Sequence, residues 1–148
     1  MIYEQIKKQG IHAVPFVKLL GAEALGVADG YSEVRLVQRE DLSNHVGTLH
    51  AAAIFALGET ASGLAMAGAM ASQILAIRPV AASADVRYLK PARGTITATG
   101  KAAADASECL QELKTQGKTV LPVEVSIADE AGLVVATMEV EWHIRLKS

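Results

Sequence analysis

Residues 49–75 read LHAAAIFALGETASGLAMAGAMASQIL, and this stretch decides the fold. It contains no proline and many alanines, and alanine has the strongest intrinsic preference for the helix. We therefore predict one long helix over Leu49–Leu75. Because its side chains are small or apolar nearly all round, this helix should be buried on most of its sides. Glu59 is its only side chain that carries a full charge at neutral pH.

Runs of alternating apolar and polar residues lie on both sides of this helix and predict strands. In the clearest run, Val140, Trp142 and Ile144 face one way while Glu141 and His143 face the other. An Asp-Gly turn and an Asp-Glu-Ala-Gly turn each separate two runs and predict hairpins. The predicted strands are Ala22–Ala28, Tyr31–Gln38, Val80–Leu89, Thr95–Ala102, Val120–Ala128 and Leu133–Leu146.

Three further segments predict short helices. They are Tyr3–Gln9, which should stop at Gly10, Pro15–Leu20, and Ala104–Gln116. One buried helix against an antiparallel sheet is an α+β layer arrangement. A length of 148 residues fits one domain. We divide it into an N-terminal helical segment, 1–20, and a core, 21–148.

Composition and charge exclude several classes of function. The formal net charge is −2, so no excess of basic residues is available to bind nucleic acid or an anionic membrane surface. The single cysteine, Cys109, suits a reducing compartment such as the cytoplasm. His45 and His50 lack further ligands at ordered spacing, so we expect no metal. Polar residues interrupt the stretch Ala51–Ala76 too often for it to predict a membrane span.

Glu59 is the first candidate site residue. Burying an unpaired carboxylate is costly or forces it to take up a proton. A lone acid in such a helix is therefore a candidate for catalysis. In the alternative interpretation, local hydroxyls such as those of Thr60 and Ser62 cap the carboxylate, or it lies at the surface. The spacing alone leaves both interpretations open.

The start of the long helix is the second candidate. His50, Ala51 and Ala52 should present free backbone N–H groups there, at the positive end of the helix dipole. Such donors can polarise a carbonyl group, although every helix has a start of this kind. Ala51 and Glu59 are eight positions apart, which is about 12 Å along one helix. If both serve one reaction, they must come from different subunits, so the site would lie at a dimer interface.

The motif Asn44-x-x-Gly47-x-x-His50-Ala51-Ala52, followed by Glu59, resembles the signature of hotdog-fold acyl-coenzyme A thioesterases. It is similar above all to the phenylacetate-pathway type and to a poorly characterised branch of that superfamily. The resemblance covers the chain from about Gly21 to Arg145. It implies a hotdog fold, in which a twisted antiparallel sheet of about five to six strands wraps a long central helix. It also implies hydrolysis of an acyl thioester.

The resemblance assigns a role to each residue of the motif. Glu59 would act as the general base or the nucleophile, and the N–H of Ala51 would polarise the thioester carbonyl. Asn44 would position that carbonyl or the attacking water. His50 would shape the same pocket, and the substrate-binding residues would include Gly47 and Ala52.

Two features of the motif depart from the family. Family members usually have His-Gly-Gly where this chain has His50-Ala51-Ala52. Each alanine keeps its N–H but adds a methyl group, which would narrow the acyl channel or make the loop less adaptable. The acid is Glu59 instead of the commoner Asp, so its reach is one methylene longer.

Lys90, Arg93 and Lys101 are the candidates for binding the phosphates of coenzyme A. Lys90 and Arg93 lie in the run Tyr88–Gly94, which resembles the turn after the third strand of the family. In the alternative interpretation all three are solubilising charges at a strand end. Coenzyme A enters as part of the substrate, so no separate cofactor is expected.

We therefore predict a cytoplasmic acyl-coenzyme A thioesterase that forms a homodimer, with a homotetramer as the next larger assembly. The alternative function is a non-catalytic module that binds acyl-coenzyme A or lipid, because a fold does not fix a function. A hydratase or dehydratase is a third possibility. It needs a histidine paired with an acid, and the sequence does not clearly show such a pair.

Overall fold

A computed structural model describes the whole chain, Met1–Ser148. The helices are α1 (Ile2–His12), α2 (Pro15–Leu20), α3 (Ala51–Ala69) and α4 (Ala106–Gln116). The strands are β1 (Glu23–Ala28), β2 (Tyr31–Val37), β3 (Ile77–Tyr88), β4 (Thr95–Ala102), β5 (Lys118–Ala128) and β6 (Val134–Leu146). Two short 3-10 turns cover Glu40–Leu42 and Ala71–Ala76.

All six strands pair antiparallel in one sheet, in the order β1-β2-β4-β5-β6-β3. The long helix α3 packs mainly against five strands of this sheet, β1, β2, β4, β5 and β6. A six-stranded antiparallel sheet around one central helix confirms the predicted α+β hotdog fold. The first hairpin, the long helix and the later strands follow one another in the predicted order.

Small residues bring α3 into backbone contact with the sheet. A methyl group at Gly68 would collide with the carbonyl oxygen of Ala28, on β1. On β4, a methyl group at Gly100 would meet the carbonyl oxygen of Ala61. The hydroxyl of Ser32 donates a 2.6 Å hydrogen bond to that same carbonyl. The alanines and glycines of α3 therefore set how closely the sheet wraps the helix.

The predicted alternation of β6 is confirmed. Val140 and Ile144 are fully buried, whereas Glu141 and His143 are exposed. Trp142 lies on the buried face, and its indole N–H donates a 3.0 Å hydrogen bond to the hydroxyl of Ser62. This bond satisfies the one polar atom of the indole in the core.

The C-terminal ends of two helices differ from the prediction, and the starts of α1, α3 and α4 shift by one or two residues. Helix α3 ends at Ala69 instead of Leu75, and Ala71–Ala76 forms a 3-10 turn. The chain must turn there because β3 begins at Ile77, paired with the end of β6. Helix α1 does not stop at Gly10 but continues to His12. That glycine allows close packing, since a methyl group there would collide with Leu64 of α3.

Strand β3 begins three residues before the predicted Val80 and includes Pro79. Proline lacks a backbone N–H, but an edge strand tolerates it on its unpaired side. β3 is such an edge strand, and nine of its 12 residues are exposed. This edge is the longest stretch of unpaired strand backbone in the chain.

Helix α3 is long and apolar enough to cross a membrane when length and composition alone are considered. In the folded chain, however, 72% of its apolar window is buried inside the domain. The apolar surface of α3 is therefore used for packing against the sheet and α1.

Candidate functional site

The start of α3 presents one free backbone donor. The Nδ1 atom of His50 accepts a 2.9 Å hydrogen bond from the N–H of Ala52, and so caps the helix. The N–H of His50 itself donates to the carbonyl of Leu42, at 2.8 Å. Of the three groups that we expected to be free, only the N–H of Ala51 has no acceptor in the chain. Ala51 and Ala52 are both exposed, so a ligand can reach this donor.

The loop before α3 is shaped by Asn44. Its Oδ1 accepts hydrogen bonds from the N–H groups of Val46 and Thr48, at 3.0 and 3.1 Å. Its Nδ2 donates to the hydroxyl of Thr48 at 2.7 Å. Gly47 has a φ of 82°, a left-handed conformation that favours glycine. Within the chain, Asn44 and Gly47 thus give the loop its form, and their predicted contact with a substrate stays a prediction.

Gln38 connects this loop to the turn after β3, and we did not predict it. Its Nε2 donates to the hydroxyl of Ser43 at 3.0 Å and to the carbonyl of Gly47 at 3.1 Å. Its Oε1 accepts a 2.8 Å hydrogen bond from the N–H of Gly94. The partners lie up to 56 positions away in sequence, so no local pattern could have indicated this residue.

The turn that carries Lys90 and Arg93 lies beside the start of α3. The carbonyl of Ala92 accepts a 2.8 Å hydrogen bond from the N–H of Leu49. Both basic side chains are exposed, and neither makes an ion pair within the chain. Two free positive charges therefore lie near the end of α3 that already attracts negative charge.

Tyr88, at the end of β3, is a second residue that the sequence did not indicate. Its hydroxyl lies 3.3 Å from the carbonyl oxygen of Ala51 and donates to it. The C-terminal end of β3 is therefore fixed against the first turn of α3.

Glu59 faces an apolar cleft. The cleft lies between α1 and α3 and has a volume of about 890 Å³. The Glu59 side chain is half-buried and makes no hydrogen bond or ion pair in the chain. The hydroxyl of Thr60 donates to the carbonyl of Ala56, and that of Ser62 donates to the backbone carbonyl of Glu59. Neither hydroxyl caps the carboxylate.

Burial raises the pKa of Glu59, because removing water disfavours the charged form. Its carboxylate therefore forms at a higher pH than that of an exposed glutamate, and it is a stronger base once formed. Carboxyl groups with this kind of shift, in a cleft and without a partner, are candidates for acid–base chemistry.

The structure does not bring Glu59 and Ala51 together within one chain. They remain eight residues apart on α3, about 12 Å along its axis. β3 passes near both places, however. Its residue Tyr88 contacts Ala51, and its residue Pro79 lines the cleft that contains Glu59.

One histidine–acid pair is present elsewhere. The Nε2 of His143 lies 2.8 Å from Oε1 of Glu141, a pairing that the sequence did not reveal. Both side chains are exposed on the face of β6 opposite Trp142. They therefore lie across the sheet from the cleft, outside the site built around α3. No group of three or more His, Cys, Asp or Glu side chains is arranged to hold a metal ion.

Comparison with protein families decides the membership of the chain. Residues 4–144 match the family DUF4442, which is described as a domain of unknown function. The chain belongs to this family. A search of curated proteins found no similar sequence to compare with this DUF4442 chain.

Solved structures confirm the fold of this DUF4442 protein. A Pseudomonas aeruginosa protein of unknown function, described as a probable thioesterase, superposes with a TM-score of 0.83 and 25% identity over 97% of this chain and 95% of that one. The PaaI protein of the Escherichia coli phenylacetic acid degradation operon gives a TM-score of 0.68 and 23% identity over 95% and 98%. A mutant of a Staphylococcus aureus thioesterase gives 0.72 and 18% over 89% and 99%.

Proposed function

We propose that this protein hydrolyses the thioester of an acyl-coenzyme A, and that two copies of the chain form each active site. The observation that carries the proposal is the Glu59 carboxylate, which lines an apolar cleft without a partner in the chain. The solved hotdog structures described as thioesterases support the reaction class. The free, buried thiol of Cys109 supports a reducing, cytoplasmic location.

Glu59 would act as the general base or as the nucleophile. As a base, it takes a proton from water while the water oxygen attacks the thioester carbonyl carbon. As a nucleophile, it attacks that carbon itself, and water then hydrolyses the mixed anhydride. In both routes the carbon–sulfur bond breaks and the coenzyme A thiolate leaves. The raised pKa of Glu59 suits either role, because it makes the carboxylate more basic.

The tip of α3 would stabilise the oxyanion. The thioester carbonyl would accept a hydrogen bond from the free N–H of Ala51, at the positive end of the helix dipole. Ala52 cannot donate there while His50 caps its N–H. Asn44 and Gly47 hold the loop in the form that exposes this donor.

An unpaired edge supplies a physical reason for a second copy. β3 is 12 residues long, and along its outer side no backbone group has a strand partner in the chain. Such an edge is a template for another strand. Its residues 80–84 read VAASA, and all five are small and uncharged. A second strand can therefore approach this edge without steric hindrance or charge repulsion.

Pairing of two β3 strands would complete the site. In a twofold dimer the strands run antiparallel, so the Tyr88 end of one copy lies beside the Pro79 end of the other. Tyr88 contacts Ala51, and Pro79 lines the Glu59 cleft. The helix tip of one copy would then face the carboxylate of its partner, and the separation of about 12 Å within one chain no longer matters.

The exposed turn after β3 would hold the other end of the substrate. Lys90 and Arg93 are free of ion pairs and lie beside the helix tip. Coenzyme A carries phosphate groups, which Lys and Arg bind well. The substrate would therefore run from this turn, past Ala51, to Glu59 of the other copy.

Replacing Glu59 with glutamine tests the proposal. Glutamine keeps the size of the side chain but can neither ionise nor accept a proton. We expect Glu59→Gln to lower kcat by about 10²–10⁴-fold, the usual contribution of a positioned base. The measurement is the release of coenzyme A thiol from short, medium, long and aromatic acyl-coenzyme A substrates.

A matched control is Glu112→Gln, which makes the same change on the exposed face of α4 and should turn over at the wild-type rate. Equal rates for wild type and Glu59→Gln would contradict the mechanism. Tight binding of acyl-coenzyme A to the wild-type protein with no turnover would favour the alternative, a non-catalytic binding module.

A further inference from the structure

The N-terminal helix α1 encloses the cleft that contains Glu59. Helix α3 forms one wall, where Leu64 and Ala67 line the space, and α1 forms the opposite wall through Ile2 and Ile6. The volume of about 890 Å³ falls within the range of about 300–1,000 Å³ that is usual for small-molecule sites. Residues 1–20 are therefore part of the wall of this cleft, which would be open to solvent without them.

The lining of the cleft is aliphatic. Apart from Glu59, its polar side chains are Gln5, Gln9 and Thr60, and the Thr60 hydroxyl is already bonded to the carbonyl of Ala56. Trp142 closes one side. The cleft therefore has one reactive group at one place and no array of donors for a polar ligand.

The lack of a side chain at Gly63 brings the indole of Trp142 to the cleft. A methyl group at Gly63 would lie 3.3 Å from Cζ2 of Trp142, which is tighter than ordinary contact. Because glycine leaves this room, the indole packs against α3 and lines the same cleft as Glu59. A flat hydrocarbon surface in the wall of this cleft suits an apolar group attached to the reacting carbonyl.

Large apolar side chains are left exposed where the cleft opens. Leu75 is 87% exposed, Val14 is 44% exposed and Ile2 is 38% exposed, and all three line the cleft. Apolar groups exposed together at the mouth of one cavity are a feature of ligand-binding grooves. A ligand that extends from Glu59 to Leu75 would remove this surface from water.

We propose that this cleft binds the aliphatic chain of a medium- or long-chain acyl group, with its carbonyl at Glu59 and its tail towards Leu75. The inference rests on the proposed function for the reacting group, and adds the class of acyl chain and the role of α1. Helix α1 is a wall of the acyl site, and its packing on α3 limits the length of chain that fits.

Calorimetry on Glu59→Gln measures how the Kd of acyl-coenzyme A depends on the length of the acyl chain. This variant is used because it should bind the substrate without hydrolysing it. Each buried methylene contributes about 0.8 kcal/mol, which is about fourfold in Kd. We expect Kd to fall by about that factor per methylene from butyryl- to octanoyl-coenzyme A. Adding Ala67→Phe places a phenyl ring in the path of the chain, so dodecanoyl-coenzyme A should then bind no more tightly than butyryl-coenzyme A.

Two further variants keep the test independent of folding. Ala131→Phe adds the same bulk on an exposed turn outside the cleft, and should leave the dependence on chain length unchanged. Leu75→Ser alters a side chain that is 87% exposed, so it spares the core. It should weaken dodecanoyl-coenzyme A binding about fourfold or more without changing butyryl-coenzyme A binding.

The outcomes separate this inference from the proposed function. If Kd does not depend on chain length, or if neither Ala67→Phe nor Leu75→Ser changes that dependence, the acyl site is elsewhere and the inference is overturned. If the dependence is present and both variants reduce it, the inference stands, even when the wild-type protein releases no thiol. In that last case only the hydrolytic function fails.

Discussion

The backbone N–H of Ala51 can be removed without disturbing the helix that it begins. Ala51 is the first residue of α3, a position that favours proline. The preceding His50 has φ −66° and ψ 139°, the extended backbone that a following proline requires. Ala51→Pro should therefore fold normally but lower kcat by about 10²–10³-fold, the usual effect of losing one oxyanion donor. Thermal unfolding and thiol release measure the two effects.

Helix α4 offers a matched control for this substitution. Ala106 is its first residue, and Asp105 before it is also extended, with φ −68° and ψ 117°. Ala106→Pro makes the same backbone change far from the proposed site and should retain wild-type turnover. If Ala51→Pro also retained it, the helix tip would have no part in the reaction.

At the scale of single residues, the sequence indicated Glu59 and Ala51 but could not say how they are surrounded. The solitary charge at Glu59 left open whether its carboxylate is buried, capped by local hydroxyls or at the surface, and the structure shows it half-buried and without a hydroxyl cap. The sequence could not show that the imidazole of His50 uses the N–H of Ala52. The role of Gln38 could not be predicted, because its hydrogen bonds join segments that are distant in sequence and adjacent only in the fold.

The closeness of α3 to the sheet can be tested with its glycines. A methyl group at Gly68 would collide with a backbone carbonyl, which cannot move, whereas one at Gly58 would meet the flexible side chain of Met138. Gly68→Ala should lower the free energy of unfolding by about 1–3 kcal/mol through overpacking, despite a gain of about 1 kcal/mol in helix propensity. Gly58→Ala should change it by less than about 1 kcal/mol. Urea unfolding measures both.

Similar losses of stability in the two variants would contradict this account, since the difference depends on which neighbour can move. Gly58→Ala serves as the control for helix propensity, because it makes the same change in the same helix. A smaller loss of unfolding free energy at Gly68 than at Gly58 would mean that the sheet moves away from α3 to accommodate the added methyl group.

At the scale of helices and strands, periodicity predicted every element but misplaced some of their ends. Thr95–Ala102 and Pro15–Leu20 were predicted to the residue, because a turn or a proline marks their limits. The end of α3 was wrong, since residues 70–75 continue a helical pattern and only the pairing of β3 with β6 forces the chain to turn. Here the pairing of two strands distant in sequence overrides the local helix propensity of residues 70–75.

The oligomeric state can be tested at the middle of β3. Ala82 lies near the centre of this strand, so a twofold axis through the pairing would place two copies of it close together. Ala82→Lys would bring two ammonium groups together in the interface. We expect the mass in solution to fall from about twice the chain mass of 15.5 kDa to the chain mass itself. Turnover should fall with it, because the proposed site is built from two chains.

Light scattering after size-exclusion chromatography measures the mass, and circular dichroism checks the fold. Ala131→Lys is the control, because it places the same charge on the exposed turn before β6. A wild-type protein that is monomeric and fully active would contradict the shared site. Dimers that persist in Ala82→Lys would place the interface away from β3.

The two edges of the sheet are not alike. β1, at one edge, has only six residues and is packed by α1. Each edge strand carries one irregularity in its pairing, between Ala24 and Gly26 in β1 and between Ala81 and Ser83 in β3. β3, at the other edge, is long and open. Because only one side of each molecule can receive a further strand, growth of the sheet would halt after a single addition. A sheet with one open edge can therefore form a dimer but cannot extend into a fibre.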